Sequence, residues 1–383
     1  MNGVHEIDHE PWSFSHPTRV FWGRESLQQL NELSRALCDG SLAILVGSHA
    51  AAENGYLRRL EESLSDHRLE VFAGVEPEPT HSTVMRVKSF VEERGAKGVV
   101  ALGGGSVLDA AKAVCCIAYT DSDITTYMDR VEEFTEKQIP LVALPTTAGT
   151  GSEVTPFSVL TNEETGEKKS LPSPFFYADL AVVIPDYLAT VPPKVIGDTG
   201  LDALAHAYEA LWSVNANPVS DALAFKAIKL ITASFEAYYK DPRDAVAAGD
   251  MAKGATIAGM AFSNTLTAGC HALSYPIGRI FGLSHGASCA MTLHLIAELN
   301  APVVAGKFDQ LAAYLGLESG SEIPESIRGL REGVNTIPTL NELGARRGQL
   351  EEVAAGAFQP LLKNNPVTMT DEVIVALLEP EIA

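Results

Sequence analysis

Basic residues are scarce in this chain. Lysine and arginine total 28 against 49 aspartates and glutamates, a formal net charge of −21. A surface of that sign repels a phosphodiester backbone, which argues against nucleic-acid binding. Cysteine is sparse as well. Cys38, Cys115, Cys116, Cys270 and Cys289 are an odd number with no C-x-x-C spacing and sit mostly in apolar segments, so they read as buried free thiols. Cys270 is set apart by adjoining His271, which leaves a role as a ligand or as a group behind one as its lesser alternative, since its helical direction differs from that of His271 by roughly 100°. No apolar run approaches the length of a membrane span. The stretch Met1 to Glu10 is acidic and lacks the basic and then apolar order of a signal peptide, so a cytoplasmic protein is expected. Internal repeats and low-complexity tracts are missing too, which removes solenoid architectures.

What is present describes a folded globule. Hydrophobic residues make up 46% and charged residues 20% of 383 positions, more chain than one core usually holds, so two domains are expected. Apolar runs at Ser41–Val46, Gly98–Leu102, Pro140–Leu144 and Ala181–Ile184 read as buried strands, with shorter strands at Thr18–Gly23 and Glu70–Gly74. Helical periodicity falls between them, over Ser26–Leu37, from Tyr56, and over Ser82–Glu93. Such alternation predicts a mostly parallel sheet covered by helices. Phe157–Leu160 and a turn at Asn162–Gly166 read as a hairpin-like excursion. Beyond Pro192-Pro193 strand-like runs almost vanish, and helices are expected over Thr199–Trp212, Pro218–Tyr239, Asp241–Asn264 and Ala287–Leu299. The predicted organisation is an α/β domain over residues 1–190 and an all-helical domain over 191–383.

Two stretches in the first half suit phosphate. A buried strand runs directly into Gly103-Gly-Gly-Ser-Val-Leu-Asp-Ala-Ala-Lys112, a glycine-rich entry to a helix with Ser106 as the expected N-cap. Bare N–H groups and the helix dipole make such a turn an anion cradle, although the same pattern also serves as a plain strand-to-helix turn. The next strand ends in Pro145-Thr-Thr-Ala-Gly-Thr-Gly-Ser-Glu153, whose hydroxyls suit pyrophosphate and ribose or, equally, turns and caps.

The second half holds a set of metal-ligand types. Asp202 and His206 stand four apart in helical sequence and share a face. Such a pair is commonly no more than a hydrogen-bonded couple. His271 and His285, each among small apolar residues, complete three imidazoles and one carboxylate, a donor set for a divalent transition metal. Phosphate-binding residues in one half and metal ligands in the other predict a site between the two.

Taken in this order, the glycine turn, the threonine loop, Gly200-Leu-Asp-Ala-Leu-Ala-His206 and the pair His271 and His285 resemble the iron-dependent alcohol dehydrogenase family over nearly the whole chain. The resemblance implies a dinucleotide-binding α/β domain, an all-helical metal domain and a homodimer. It implies that Asp202, His206, His271 and His285 hold Fe²⁺, with zinc able to take the same place. By the same carry-over Gly104, Gly105, Ser106 and Asp109 lie at the cofactor pyrophosphate, with Thr146, Thr147 and Thr150 nearby and Lys169 toward the ribose and nicotinamide.

Two positions depart from the family pattern. Where many members have a further histidine four residues after the ligand matching His271, this chain has Tyr275, whose ordinary pKa of about 10 suits neutral acid–base work less well. At the end of the second strand, where members preferring NAD tend to carry a carboxylate for the ribose, it has Ser48, so a 2′-phosphate is not repelled and NADPH is expected over NADH. The segments around Trp212, Tyr275 and His285 are most similar to the phosphonoacetaldehyde reductases within the family. The resemblance therefore implies reduction of a small aldehyde to a primary alcohol, phosphonoacetaldehyde to 2-hydroxyethylphosphonate first, with a general short-chain aldehyde or hydroxyaldehyde dehydrogenase as the alternative and a non-catalytic nucleotide or metal sensor behind it. A phosphonate needs a cation, for which Arg279 leads and Lys168 and His49 follow. Arg279 could equally serve a surface salt bridge.

Overall fold

A computed structural model describes residues 11–47, 54–334 and 337–382. The apolar runs become strands β1 (Arg19–Trp22), β2 (Ser41–Val46), β3 (Arg68–Ala73), β4 (Gly98–Gly103), β5 (Leu141–Pro145), β6 (Phe157–Thr161), β7 (Lys168–Pro172) and β8 (Leu180–Val183). Six of them form one parallel sheet in the order β1-β8-β5-β4-β2-β3, and β6 and β7 pair separately as an antiparallel hairpin. Helices α1 (Ser26–Leu37), α2 (Tyr56–Ser63), α3 (His81–Arg94), α4 (Gly105–Ile117) and α5 (Ile124–Met128) accompany the strands. Strands β4, β5 and β8 are buried along their whole length, which is why they read as unbroken apolar runs.

Connectivity places the glycine turn. From β2 the chain goes outward to β3 on one side and then returns to β4 on the other, so the winding reverses between β2 and β4. Val46 pairs with Leu102, setting the carboxyl ends of these two strands side by side. Open α/β sheets bind ligands in the crevice at such a reversal, and Gly104 to Ser106 open α4 there.

The rest is helical: α6 (Pro193–Trp212), α7 (Pro218–Lys240), α8 (Ala245–Thr265), α9 (Gly269–Phe281), α10 (His285–Asn300), α11 (Ala305–Leu315), α12 (Ile323–Val334), α13 (Arg347–Ala355), α14 (Gln359–Leu362) and α15 (Asp371–Leu378). Helix α6 begins six residues earlier than its periodicity suggests, because Pro193 fits the first helical position, where no N–H is needed. Helix α8 begins later than expected, since Asp244 caps it by accepting from the Val246 and Ala247 N–H groups. No single described helix is long and apolar enough to cross a membrane.

Helix α9 holds a proline in its interior. Pro276 has no N–H for the Ala272 carbonyl four residues back, and the Phe358 N–H donates to that carbonyl instead at 3.1 Å. The exchange seats Phe358 against Tyr275, with ring centres 5.5 Å apart.

The two halves meet through the threonine loop. Ala148 packs into the helical core, and the Thr256 hydroxyl of α8 donates to the buried Glu153 carboxylate at 2.7 Å. Burial raises the pKa of Glu153, the hydrogen bond from Thr256 partly opposing it.

Candidate metal and nucleotide site

Helix α6 is buried along most of its length and supplies three acidic or imidazole side chains from one face, Asp202, His206 and Glu209. Position 286 allows α10 to lie against α6. A Cβ there would overlap the Asp198 carbonyl oxygen and come within 3.1 Å of the Asp202 Cβ. Glycine at that point lets His285, the first residue of α10, reach Asp202.

The imidazoles turn their Nε2 atoms inward. His271 Nε2 lies 3.0 Å from His206 Nε2 and 3.6 Å from Asp202 Oδ1, and His285 Nε2 lies 3.9 Å from the same carboxylate oxygen. Each ring has an outer support or stack. Glu209 Oε2 binds the His271 Nδ1, Ser274 Oγ is 3.4 Å from the His285 Nδ1, and His206 stacks on Phe262 at 4.1 Å. Asp202 is 3% exposed and its Oδ1 has no hydrogen-bond partner among the described residues. A buried carboxylate oxygen facing two imidazole nitrogens, with a third beside them, is costly alone and suits a divalent cation. The residues present therefore fit the metal.

Electrostatics point the same way. Burial pushes the Asp202 pKa up, but the three imidazoles outweigh it and hold the carboxyl well below its usual range. Burial lowers His206 to about 4, which leaves a neutral ring with a free lone pair. Burial disfavours ionised Glu209 too, yet His271 and the N–H groups of Ala268 and Cys270 keep it charged. His271 is pushed down by burial and carried above the ordinary imidazole range by Cys289 and Glu209.

A cavity of about 360 Å³ connects this cluster to the glycine turn, with Gly105, Ser106 and Thr150 at one end and Asp202, His206 and His271 at the other. At the cradle, a Cβ on Gly105 would lie 2.8 Å from Thr150 Cγ2, so the α4 entry and the threonine loop touch through a missing side chain. Thr146 donates its N–H to the Gly103 carbonyl at 3.0 Å, and Thr147 approaches Gly104.

Several expected roles shift. Gly104, not Ser106, is the N-cap of α4; Ser106 is already helical, and its Oγ accepts from the Glu78 N–H at 3.1 Å. Asp109 lines the cavity and also braces the cradle, accepting from Ser152 Oγ at 2.6 Å and from the Val159 N–H at 3.0 Å. Beside it the buried Lys112 donates to Thr155 and the Phe157 carbonyl, its pKa lowered to about 8 by burial. Lys169 faces Asp129 at 2.7 Å in a neighbouring cavity of about 1170 Å³ and does not line the one that holds the ligand cluster. Arg279 borders the neighbouring cavity only and pairs with Glu352 at 3.4 Å, with its side chain 67% exposed. Lys168 lines both cavities but pairs with Glu78. Tyr275 does line the wall beside the ligands, with its ring 6.3 Å from that of His285 and its phenol pKa raised by burial, partly offset by His271. Ser48 and His49 lie outside the described residues.

Three residues were missed from sequence. Glu209 repeats the Asp202 and His206 face seven positions on, a signal that was present. Cys289, read as a core thiol, lies 3.9 Å from His285 Nε2 one turn further along α10. Arg130 lines both cavities from a loop with φ of 56°, and its guanidinium has no carboxylate partner among the described residues. No local pattern announces it.

Comparison with known proteins covers the whole arrangement. A family model described as iron-containing alcohol dehydrogenase matches residues 17–185, and one for the C-terminal part of the Fe-containing alcohol dehydrogenase family matches residues 196–382. Long-chain-alcohol dehydrogenase 1 of Geobacillus thermodenitrificans is 36% identical over 83% of this chain and 83% of its own. The sulfoacetaldehyde reductase of Bilophila wadsworthia is 29% identical over 89% of this chain and 91% of its own. The crystal structure of sulfoacetaldehyde reductase from Bifidobacterium kashiwanohense in complex with NAD+ superposes with a TM-score of 0.92 at 30% identity, covering 98% of this chain and 99% of that one.

Proposed function

The chain belongs to the iron-containing alcohol dehydrogenase family and is an oxidoreductase, and from that premise we propose that it reduces a small aldehyde to a primary alcohol with NADPH. The favoured substrate is phosphonoacetaldehyde, giving 2-hydroxyethylphosphonate. The observation that carries the reaction class is the single cavity with the glycine cradle at one end and four metal-ligand side chains at the other. Asp202, His206, His271 and His285 would hold the ion, Fe²⁺ or Zn²⁺. When bound, the cation supplies Lewis-acid polarisation of a carbonyl and the reduced nicotinamide supplies hydride.

The chain's own residues orient and protonate. Gly104, Gly105 and Ser106 present first-turn N–H groups of α4 to a pyrophosphate, with Thr150 beside them. Phe262, Leu266 and Phe358 line the cavity and keep water from the reacting carbon. Tyr275, kept protonated by burial, holds a proton at its phenol oxygen at the cavity wall, where it serves the developing alcohol.

An anionic headgroup needs an unpaired cation, and Arg130 takes the role first expected of Arg279. It borders the cavity without a carboxylate partner among the described residues, while Arg279, Lys168 and Lys169 each face one. The likeness to sulfoacetaldehyde reductases supports the same class of substrate, a two-carbon aldehyde bearing a tetrahedral anion. A second reading, an ordinary short-chain aldehyde, is favoured by the apolar walls at Phe157, Phe262, Leu266 and Leu361. Preference for NADPH follows from the missing ribose carboxylate at position 48. A cytoplasmic homodimer remains the working form.

Steady-state turnover of phosphonoacetaldehyde, sulfoacetaldehyde, butyraldehyde and glycolaldehyde, each with NADPH and NADH and with Fe²⁺ or Zn²⁺, tests the reading. The highest kcat/KM is expected for phosphonoacetaldehyde with NADPH. Equal or better use of butyraldehyde establishes the second reading instead.

A further inference from the structure

Cys289 stands one helical turn after His285 on α10, so thiol and imidazole project from the same side of the helix. The sulfur lies 3.9 Å from His285 Nε2. Donor atoms of Asp202, His271, His285 and Cys289 all fall within 4.8 Å of one another. A thiolate sulfur at about 2.3 Å and an imidazole nitrogen at about 2.0 Å from one ion are at most about 4.3 Å apart. The Cys289–His285 separation satisfies that bound.

A second observation aims at the same point. Asp202 Oδ1 is buried without a hydrogen-bond partner among the described residues, and the Asp202 carboxylate belongs to the same close group as the sulfur. His206 stands beside this group, with its Nε2 3.0 Å from that of His271.

We propose that Cys289 is a sulfur donor to the metal centre, converting a nitrogen and oxygen site into a mixed one that favours zinc over iron(II) more strongly than the same site without the thiol. The inference rests on the metal-site reading of Asp202, His206, His271 and His285. Thiolate is the softest ligand of the set and selects for zinc. Coordination replaces the S–H bond with a sulfur–metal bond and releases one proton to solvent.

Cobalt(II) reports each ligand class separately. Metal-stripped wild type, Cys289→Ser and Cys289→Ala are titrated anaerobically with Co²⁺ and followed by absorption. Wild type is expected to bind one equivalent, with visible ligand-field bands and a thiolate-to-cobalt charge-transfer band in the near ultraviolet. Both variants should keep the visible bands and lose the charge-transfer band. One bound cobalt in wild type without that band overturns the sulfur ligand and leaves the nitrogen and oxygen site standing, with the thiol as a hydrogen-bond neighbour of His285 only. Failure of wild type to bind Co²⁺ or Zn²⁺ overturns both readings. In competition between Zn²⁺ and Fe²⁺, the zinc preference of Cys289→Ser should fall on the order of tenfold; an unchanged ratio overturns the selectivity.

Discussion

Glu209 holds the Nδ1 side of the His271 ring with one carboxylate oxygen while the other caps the start of α9, accepting from the Cys270 N–H at 2.6 Å and the His271 N–H at 3.3 Å. One fully buried residue of α6 thereby fixes both the position of α9 and the direction of its ligand nitrogen. A carboxylate behind a metal-binding imidazole sets its tautomer and raises its basicity.

Replacing Glu209 with Gln should therefore lower metal affinity about 10- to 100-fold without removing any ligand. Chelator competition with Zn²⁺ measures it. Excess metal should restore most of the activity, whereas His271→Ala should stay metal-free and inactive. Full activity in metal-free His271→Ala would sink the metal mechanism.

Arg130 and Arg279 offer a paired test of substrate recognition. A charge-assisted hydrogen bond is worth about 1.5–3 kcal/mol, so Arg130→Ala should reduce kcat/KM for the anionic aldehyde by roughly 10- to 100-fold and barely change that for butyraldehyde. Arg279→Ala removes only an exposed ion pair with Glu352 and should change neither by more than about twofold.

The cradle is tested at Gly105. A methyl group there meets Thr150 Cγ2 at 2.8 Å, and overpacking of this kind costs about 1–3 kcal/mol. Gly105→Ala should weaken NADPH binding about tenfold, read by nucleotide fluorescence, with bound zinc unchanged.

Acid stability should depend on His294. It is 1% exposed, neither ring nitrogen has a hydrogen-bond partner among the described residues, and burial, with Arg331 and Arg328 adding to it, lowers its pKa to about 3. Glu381 at 3.9 Å does not offset this. Because the folded value lies below the unfolded one of about 6.5, the neutral ring's contribution is complete above pH 6.5 and is lost as pH falls toward 3. The loss is on the order of 5 kcal/mol. Urea unfolding of His294→Leu should show a flatter stability profile between pH 6.5 and 4 than wild type; an identical slope would remove His294 as the cause.

Local chemistry determined much of this protein by itself. Unbroken apolar runs specified the buried parallel strands β4, β5 and β8, since a strand covered on both faces needs no polar alternation. Four-residue spacing put Asp202 and His206 on one face of α6, because helical geometry repeats at that interval. The glycine turn was legible for the same kind of reason, as bare backbone at a strand-to-helix junction. Tertiary structure decided everything that depends on which elements meet. Only the packing of α10 on α6 through Gly286 brings His285 to Asp202. The carbonyl freed by Pro276 draws in Phe358 from far along the chain, and the same assembly turns Arg279 outward while leaving Arg130 at the cavity. Charge pairing, too, is settled in space: Lys169 and Arg279 met carboxylates that no sequence spacing links to them, and Cys289 became a neighbour of the candidate metal ligands because α10 presents it beside His285 toward Asp202 and His271.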